Sequence, residues 1–277
     1  MVLLAGAAPL LATGAVGWDG ASFSSNLPGL DIVSLSELPG PPEGVKADDY
    51  CSHLTVTPAS GAGKRVAKAG WAVTGEVTVE GLTMVSFVAG MEAGTSGSCL
   101  SSDGNIGFFS GEKLLAVAYA PESGASSIGL VELLGDDILR IFDGDYLPRP
   151  IGDISLEGDR AVELVPLPET DTYCDGAAVV PLIYDLPIGE ARQSLAAHGW
   201  EPDTTEASEP LDSRSAELAE NGLPEVTSCS GTGFGFCNFE YASAAAGLSV
   251  ITVGEASLPD TPAIADYVVS CTAGKAE

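Results

Sequence analysis

Six cysteines constrain the fold of this 277-residue chain more than any other feature of its sequence. Their number is even, they are spread along the chain, and the CxxC, CxxH and HxxxH spacings of zinc sites and thiol oxidoreductases do not occur. Cysteines of this kind form structural disulfides in an oxidising compartment. The sequence therefore predicts a disulfide-stabilised protein that is periplasmic or extracellular.

The pairing of the cysteines follows from the predicted domains, because each domain should fold as a unit with its own core. Two cysteines lie in the β-rich N-terminal half, and two lie on the first and last predicted strands of the C-terminal half. The remaining two flank a glycine-rich hairpin. The predicted pairs are Cys51–Cys99, Cys174–Cys271 and Cys229–Cys237. A bond from Cys174 to either N-terminal cysteine stays open as the alternative and would tie the two halves together.

The first segment, residues 1–17, is apolar and ends in small residues. This pattern predicts a cleaved signal segment with Trp18 as the first mature residue. The first basic residue is Lys46, whereas a standard signal begins with a basic region, so a retained anchor and a buried segment remain alternatives. We expect membrane contact only through such an anchor.

Three regions follow the N-terminal segment. Residues 18–50 are rich in Pro, Gly and Ser and predict an extended linker or strap. Residues 51–170 contain short apolar runs separated by Gly/Asp turns, which predicts an antiparallel β sandwich or small barrel. Residues 171–277 contain two short helical patterns among strands, which predicts a small α+β domain. The fold class is therefore mostly β plus α+β.

One stretch of the C-terminal half, "VVPLIYDLPIGEARQSLAAHGWEP" at residues 179–202, resembles the opening strand-helix-strand of PASTA domains. The likeness consists of a Val-Pro strand, a short turn, a helix carrying Glu-Ala and Leu, and an exit strand after Gly199. It implies an extracytoplasmic module that binds rather than catalyses. It carries over no ligand residues.

The net charge of −28, from 39 acidic and 11 basic residues, restricts the partners. DNA, RNA and anionic lipid need Lys and Arg side chains to displace their counterions, so we expect no nucleic-acid partner. An envelope protein or glycan, or a basic protein, remains compatible with this charge.

Two loops are candidate binding sites. The glycine-rich loop beginning at Ser230 leaves backbone N–H groups free and is a candidate anion site formed by Ser230, Gly231, Thr232 and Gly233. The Asp-rich turn is a candidate calcium site formed by Asp143, Asp145 and Asp153, although the EF-hand spacing is absent. The segment "SGAGKR", Ser60 to Arg65, fails the phosphate-loop pattern and predicts a solvated turn. No cofactor is predicted.

No catalytic motif supports an enzyme. The only histidines are His53 and His198, and the patterns GxSxG, SxxK, HExxH and GxGxxG do not occur. The sequence therefore favours a secreted or periplasmic, non-enzymatic binding or structural module of the cell envelope. An acidic inhibitor of a basic secreted enzyme is the first alternative. A hydrolase that uses two carboxylates is the second, and it would require a deep cleft holding two close acids.

Overall fold

The structure, a computed structural model, describes residues 17–121, 127–135, 137–158, 160–205, 212–231, 233–254 and 262–272. Within these ranges no helix is both long enough and apolar enough to cross a lipid bilayer. The predicted signal-like segment 1–17 lies outside the described residues apart from Gly17, and it stays a prediction.

The N-terminal part of the chain consists mainly of short strands joined by turns. It also contains a 3₁₀ helix, Asp49–Leu54, and one α-helix, α1, Gly61–Lys68. The strands are β1 (Ser22–Ser25), β2 (Asp31–Ser34), β3 (Ala72–Val79), β4 (Leu82–Val88), β5 (Gly90–Ala93), β6 (Cys99–Ser102), β7 (Asn105–Ser110), β8 (Lys113–Tyr119), β9 (Ile128–Leu134), β10 (Ile138–Asp143), β11 (Pro150–Glu157) and β12 (Ala161–Val165).

The C-terminal part mixes helices and strands, as the sequence predicts. Its two helices each end just before a glycine with positive φ, Gly199 or Gly222. Its elements are β13 (Thr170–Tyr173), β14 (Ala178–Pro181), α2 (Ile188–Ala197), β15 (Glu201–Pro202), α3 (Ser213–Glu220), β16 (Val226–Cys229), β17 (Cys237–Ala242), β18 (Ala246–Val253) and β19 (Ala263–Cys271). The prediction of a strand-rich, disulfide-stabilised chain with few helices is confirmed.

Two five-stranded sheets build the N-terminal part, with strand orders β2-β8-β7-β4-β3 and β1-β12-β11-β10-β9. Apolar side chains of both sheets meet in one buried cluster, because alternate residues of each strand face the same side. Leu82, Met84 and Phe108 represent the first sheet in this cluster, and Val131 and Ile141 represent the second. The choice between a sandwich and a small barrel stays a prediction.

Residues 18–50, predicted as a linker or strap, contribute strands to both N-terminal sheets. Strand β1 joins the second sheet by pairing in parallel with β12, and β2 joins the first sheet by pairing with β8. Trp18 is fully buried, and its Nε1 donates to the Glu80 carbonyl at 3.0 Å. Phe23 and Ile32 pack against the same core. The segment is therefore part of both sheets.

Helix α1 corrects the prediction of a solvated turn at Ser60 to Arg65. The Ser60 side chain caps the helix by accepting from the Gly63 N–H at 2.8 Å. Ala62 and Val66, one helical turn apart, are buried in the cluster that contains Trp71. The sequence did not predict this helix, because its other residues are small or basic and leave only Ala62 and Val66 as an apolar pattern.

The C-terminal sheet has the order β15-β17-β18-β19, with β16 also pairing with β17. Helix α2 packs Ile188, Ala191 and Leu195 into the core of this part, and α3 adds Leu218. Trp200 is buried there and donates to the Val179 carbonyl at 2.7 Å. The apolar face that the sequence predicts for α2 is therefore the face that packs into the C-terminal core.

Polar and apolar contacts cross the predicted boundary between residues 170 and 171. Arg140 of β10 is fully buried and forms an ion pair with Asp171 of β13 at 2.7 Å. Arg149 forms an ion pair with Asp185 at 3.0 Å. Leu134 packs against the C-terminal core although it belongs to β9. The two parts of the chain therefore share a bonded and packed junction.

Three disulfides are present, and they have the pairing that the sequence predicts: Cys51–Cys99, Cys174–Cys271 and Cys229–Cys237. The first bond lies in the N-terminal part, and the other two lie in the C-terminal part. No free cysteine remains among the residues described.

Candidate functional site

A recess of about 460 Å³ lies at the junction of the two parts. It is bordered by β9, the edge strand of one N-terminal sheet, and by β19, the edge strand of the C-terminal sheet. Its walls are mainly apolar, and the described residues that line it include neither Lys, Arg nor His. Its volume is in the range of sites that hold small ligands or single side chains of a partner.

Strand β9 contributes Leu130, Glu132 and Leu134 to the recess. These residues alternate along the strand and therefore project from one face. The other face carries Val131 into the N-terminal core. The same pleat that builds the core thus places one carboxylate between two leucines at the sheet edge.

Strand β19 contributes the opposite wall, with Asp266, Tyr267 and Val268. The register between β18 and β19 shifts here, since Ile251 pairs with Asp266 and Thr252 pairs with Ile264. Ala265 is therefore an extra residue on β19, a β-bulge. Bulges re-aim neighbouring side chains, and this one lies beside the acidic residue.

The disulfide hairpin after β16 provides two aromatic rings, Phe234 and Phe236, whose centroids are 5.9 Å apart. The hairpin is anchored by the Gly254 N–H, which donates to the Phe234 carbonyl at 2.9 Å. Gly233 has φ of +72° and lies so close to Ser96 that a Cβ would collide with the serine hydroxyl. The Cys229–Cys237 bond and these two contacts hold the hairpin so that Phe234 and Phe236 form one wall of the recess.

The segment after β10 supplies Tyr146, Leu147 and Pro148. Asp143 shapes this segment by accepting from the backbone N–H groups of Asp145 at 3.2 Å and Arg149 at 2.9 Å. Burial raises the pKa of Asp143, and the two backbone hydrogen bonds oppose that rise. The carboxylate thus acts as a structural part of a tight turn.

Glu132 and Asp266 are the acidic groups of the recess. Both residues are exposed to solvent, but neighbouring atoms of the recess remove part of the hydration of their carboxyl groups. The resulting loss of hydration raises the pKa of Glu132, and the charge of Asp266 raises it further. Burial also raises the pKa of Asp266, although its carboxylate accepts from the Tyr267 N–H at 2.8 Å.

Below the recess, a buried network holds Tyr267 in place. Its hydroxyl donates to Asp171 at 2.8 Å, and Asp171 also accepts from Arg140. Arg140 bonds in turn to Asp153 at 2.9 Å. Burial would lower the pKa of Arg140, but its hydrogen bonds to Asp171 and Asp153 raise it, so the guanidinium stays charged. Burial raises the pKa of Tyr267, whose hydroxyl stays protonated.

The predicted calcium ligands have other partners in the structure. Asp153 is paired with Arg140, and Asp143 with backbone N–H groups. Asp145 accepts from the Tyr146 N–H at 2.7 Å. In the described part of the chain, no group of three or more His, Cys, Asp or Glu side chains is placed to hold a metal ion.

The predicted anion loop is partly outside the described residues, because Thr232 is not among them. The Ser230 N–H donates to the Phe236 carbonyl at 2.7 Å and closes the hairpin. Gly231 has open space beside it, whereas Gly233 is packed against Ser96. The structure thus assigns this loop a scaffolding role beside the recess, and anion binding stays a prediction.

Neither histidine lines the recess, and both face backbone carbonyls. The ring nitrogens of His53 lie 2.9 Å from the Tyr50 oxygen and 2.8 Å from the Gly97 oxygen. Nδ1 of His198 lies 2.8 Å from the Ser194 oxygen at the end of α2. His53 thereby holds the loop that carries Ser96 and Gly97 at the rim of the recess.

A second, more polar cavity of about 730 Å³ lies beside the segment 38–42. Trp71 forms part of its wall and donates to the Pro39 carbonyl at 2.8 Å. Asp103, Asn105 and Tyr119 add polar groups.

The recess could not be predicted from the sequence, because its residues come from eight separate stretches of the chain. The alternation in β9 and the four aromatics near Cys237 are visible in the sequence, but nothing in it brings them together. The sequence matches no protein-family model, and comparisons with curated proteins and with solved structures find no significant match.

Proposed function

We propose that the protein is a secreted or periplasmic binding module of the cell envelope and that it holds its ligand in the recess between β9 and β19. The observation that carries the proposal is the recess itself: a concave, mainly apolar site with a few polar groups, at the junction of two parts of the chain. The three disulfides support an oxidising compartment.

The surroundings of the recess favour binding over catalysis. The Tyr267 hydroxyl donates to Asp171, and its raised pKa keeps it protonated, so it is not available as a general base. The hairpin of Phe234 and Phe236 is closed by a disulfide. Rigid aromatic walls bind with little loss of conformational entropy.

A fragment screen observed by NMR tests this proposal. Isotope-labelled protein is titrated with neutral, cationic and anionic aromatic fragments, and with soluble peptidoglycan fragments. We expect the shifted resonances to cluster on Leu147, Phe236 and Tyr267. A Val268→Trp variant, which narrows the mouth of the recess, should weaken these responses. Val33→Trp on β2 is the matched control: Val33 is also exposed but lies outside the recess, so this variant should leave the responses unchanged. Responses confined to the cavity beside Trp71, or scattered over the surface, would contradict the proposal.

A carboxylate-dependent hydrolase is the second candidate, and the acid pair is the observation that favours it. The pKa values of Glu132 and Asp266 are both raised, in the direction that a general acid requires, and the two carboxyl groups face one recess. Hydrolysis of chromogenic glycosides that disappears in Glu132→Gln and Asp266→Asn variants would replace the binding proposal with this one.

A further inference from the structure

We propose that the recess binds a cationic side chain, a lysine or arginine flanked by apolar residues, presented by a protein partner. This inference rests on the proposed function and names the chemistry of the ligand.

The acidic side chains of the recess lack a countercharge among the described residues. The Glu132 carboxylate has no hydrogen bond or ion pair to any other described residue, and among the described residues the Asp266 carboxylate accepts from the Tyr267 N–H alone. The basic residues on the neighbouring elements are already engaged: Arg140 with Asp153 and Asp171, and Arg149 with Asp185. Two ionised carboxylates in a recess without a basic residue attract a cation, which would offset their mutual repulsion.

The walls of the recess combine apolar surface with carboxylates. A lysine or arginine side chain has an apolar stem and a charged end, so it needs an apolar channel that ends in carboxylates. Leu130 and Leu134 flank Glu132, and aromatic rings line the other walls. Aromatic rings also attract cations through their electron-rich faces. A free metal ion would gain nothing from such walls, whereas an organic cation uses both features.

The exposed apolar surface around the recess favours a protein partner over a small amine. Exposed apolar side chains continue beyond the recess: Leu54 and Val268 at its mouth, with exposed fractions of 40% and 55%, and Val56 in an adjoining groove. That groove shares Leu130 and Glu132 with the recess. The apolar surface is thus larger than one small ligand covers. The net charge of −28 would also steer a basic partner toward this protein.

The probe is a short peptide with a central lysine between leucines, compared with peptides that carry norleucine or glutamate in its place. Norleucine keeps the apolar stem and removes the ammonium group. Dissociation constants are measured by NMR titration, which also locates the contact. We expect the lysine peptide to bind about tenfold or more tightly than the norleucine peptide, the size typical of a hydrogen bond to a charged group.

Matched double variants separate the recess from general attraction. The double variant Glu132→Gln/Asp266→Asn should abolish the preference for lysine over norleucine. The control Asp31→Asn/Glu157→Gln removes the same charge from exposed strand positions outside the recess and should keep the preference. Equal weakening in both variants would show nonspecific attraction and overturn the inference.

The remaining outcomes distinguish this inference from the proposed function. If norleucine binds in the recess as tightly as lysine, or if only a glycan fragment binds there, the inference is wrong and the proposed binding function stands. If no peptide, glycan or aromatic fragment shifts the resonances of the recess, both are wrong.

Discussion

At the scale of single residues, the charge states of a few buried or recessed side chains are set by their surroundings. Arg140 has two carboxylate partners and remains a cation in a fully buried position. Glu132 and Asp266 have no cationic partner, and the recess raises their pKa values. Loss of hydration disfavours the charged form of each of these groups, and at Arg140 the two countercharges outweigh it.

We predict that replacing the recess acids with amides stabilises the free protein at neutral pH. A carboxyl group whose pKa is raised on folding binds its proton more tightly in the folded state. Its ionisation therefore lowers the free energy of unfolding as pH rises from the ordinary value, 3.8 for Asp266 and 4.5 for Glu132, to the raised one. The Glu132→Gln/Asp266→Asn variant should melt above the wild type at neutral pH.

The difference in melting temperature should disappear as the pH falls well below 3.8, where both carboxyl groups are protonated in the folded and unfolded states. Thermal unfolding by circular dichroism across this pH range measures it. The Asp31→Asn/Glu157→Gln variant controls for overall charge. A variant that melts below the wild type at neutral pH would show that the acids have a favourable partner within the chain.

At the scale of elements, the recess depends on two edge strands and one hairpin. Strand β9 supplies a carboxylate by simple alternation, and β19 supplies another beside a bulge at Ala265. The hairpin closed by Cys229–Cys237 places Phe234 and Phe236 opposite them. An edge strand is exposed to unwanted pairing, and charged residues on such strands reduce that risk. The two acids therefore also protect the edges.

The disulfides should contribute unequally to stability, because the contribution grows with the logarithm of the length of the loop that each bond closes. Cys174–Cys271 has a sequence separation of 97 residues, and Cys229–Cys237 one of 8. In the chain-entropy model these loops correspond to about 4.7 and about 2.6 kcal/mol. We expect the double alanine variant of the first pair to lose more free energy of unfolding in urea than that of the second.

A readout at the recess completes this experiment. Loss of Cys229–Cys237 should weaken fragment binding near Phe236 even where the fold survives, while loss of the Cys51–Cys99 bond should leave binding nearly unchanged. Peptide mapping without reduction checks the pairing first. A peptide that links Cys174 to Cys51 or Cys99 would contradict the structure.

At the scale of the whole molecule, the two parts share a buried junction. Arg140 and Asp153 belong to the N-terminal part, while Asp171 and Tyr267 belong to the C-terminal part. Removing one member of such a network leaves buried charges without a partner. The domain boundary between residues 170 and 171 therefore stays a prediction from the sequence. Because the junction is buried and bonded, we expect the two parts to unfold cooperatively.

We predict that both parts unfold together and that Arg140 is needed for their stability. Trp71 and Trp200 report on the two parts in variants where the other tryptophans are phenylalanine. Their fluorescence transitions in urea should coincide. Arg140→Met should lower the free energy of unfolding by about 3–5 kcal/mol at both reporters, because the buried Asp171 and the partly buried Asp153 would lose their countercharge.

Lys113→Met is the matched control, since its ion pair with Asp19 is exposed and should contribute about 0–1 kcal/mol. The triple variant Arg140→Met/Asp153→Asn/Asp171→Asn should lose less than Arg140→Met alone, because it removes the unpaired charges as well. Separate transitions for Trp71 and Trp200 would establish two independently folding domains.

The sequence alone was sufficient for properties that depend on local pattern. Strand alternation, glycine turns and the stripe of α2 are local, and hairpin spacing brings Cys229 near Cys237. The helix at Gly61–Lys68 escaped prediction because its apolar contact is only the pair Ala62 and Val66. The pairing of β1 and β2 escaped it because their partners lie far away along the chain.

Only the tertiary structure decided the candidate site. Glu132 and Asp266 are 134 positions apart in the sequence. With thirty-nine acidic residues in the chain, the sequence does not indicate which two carboxylates lie close together. Packing of β9 and β19 at the junction selects this pair, while Asp153 and Asp171 are drawn to Arg140. The physical reason is that alternation determines which face a side chain occupies, whereas contacts between distant strands determine what that face meets.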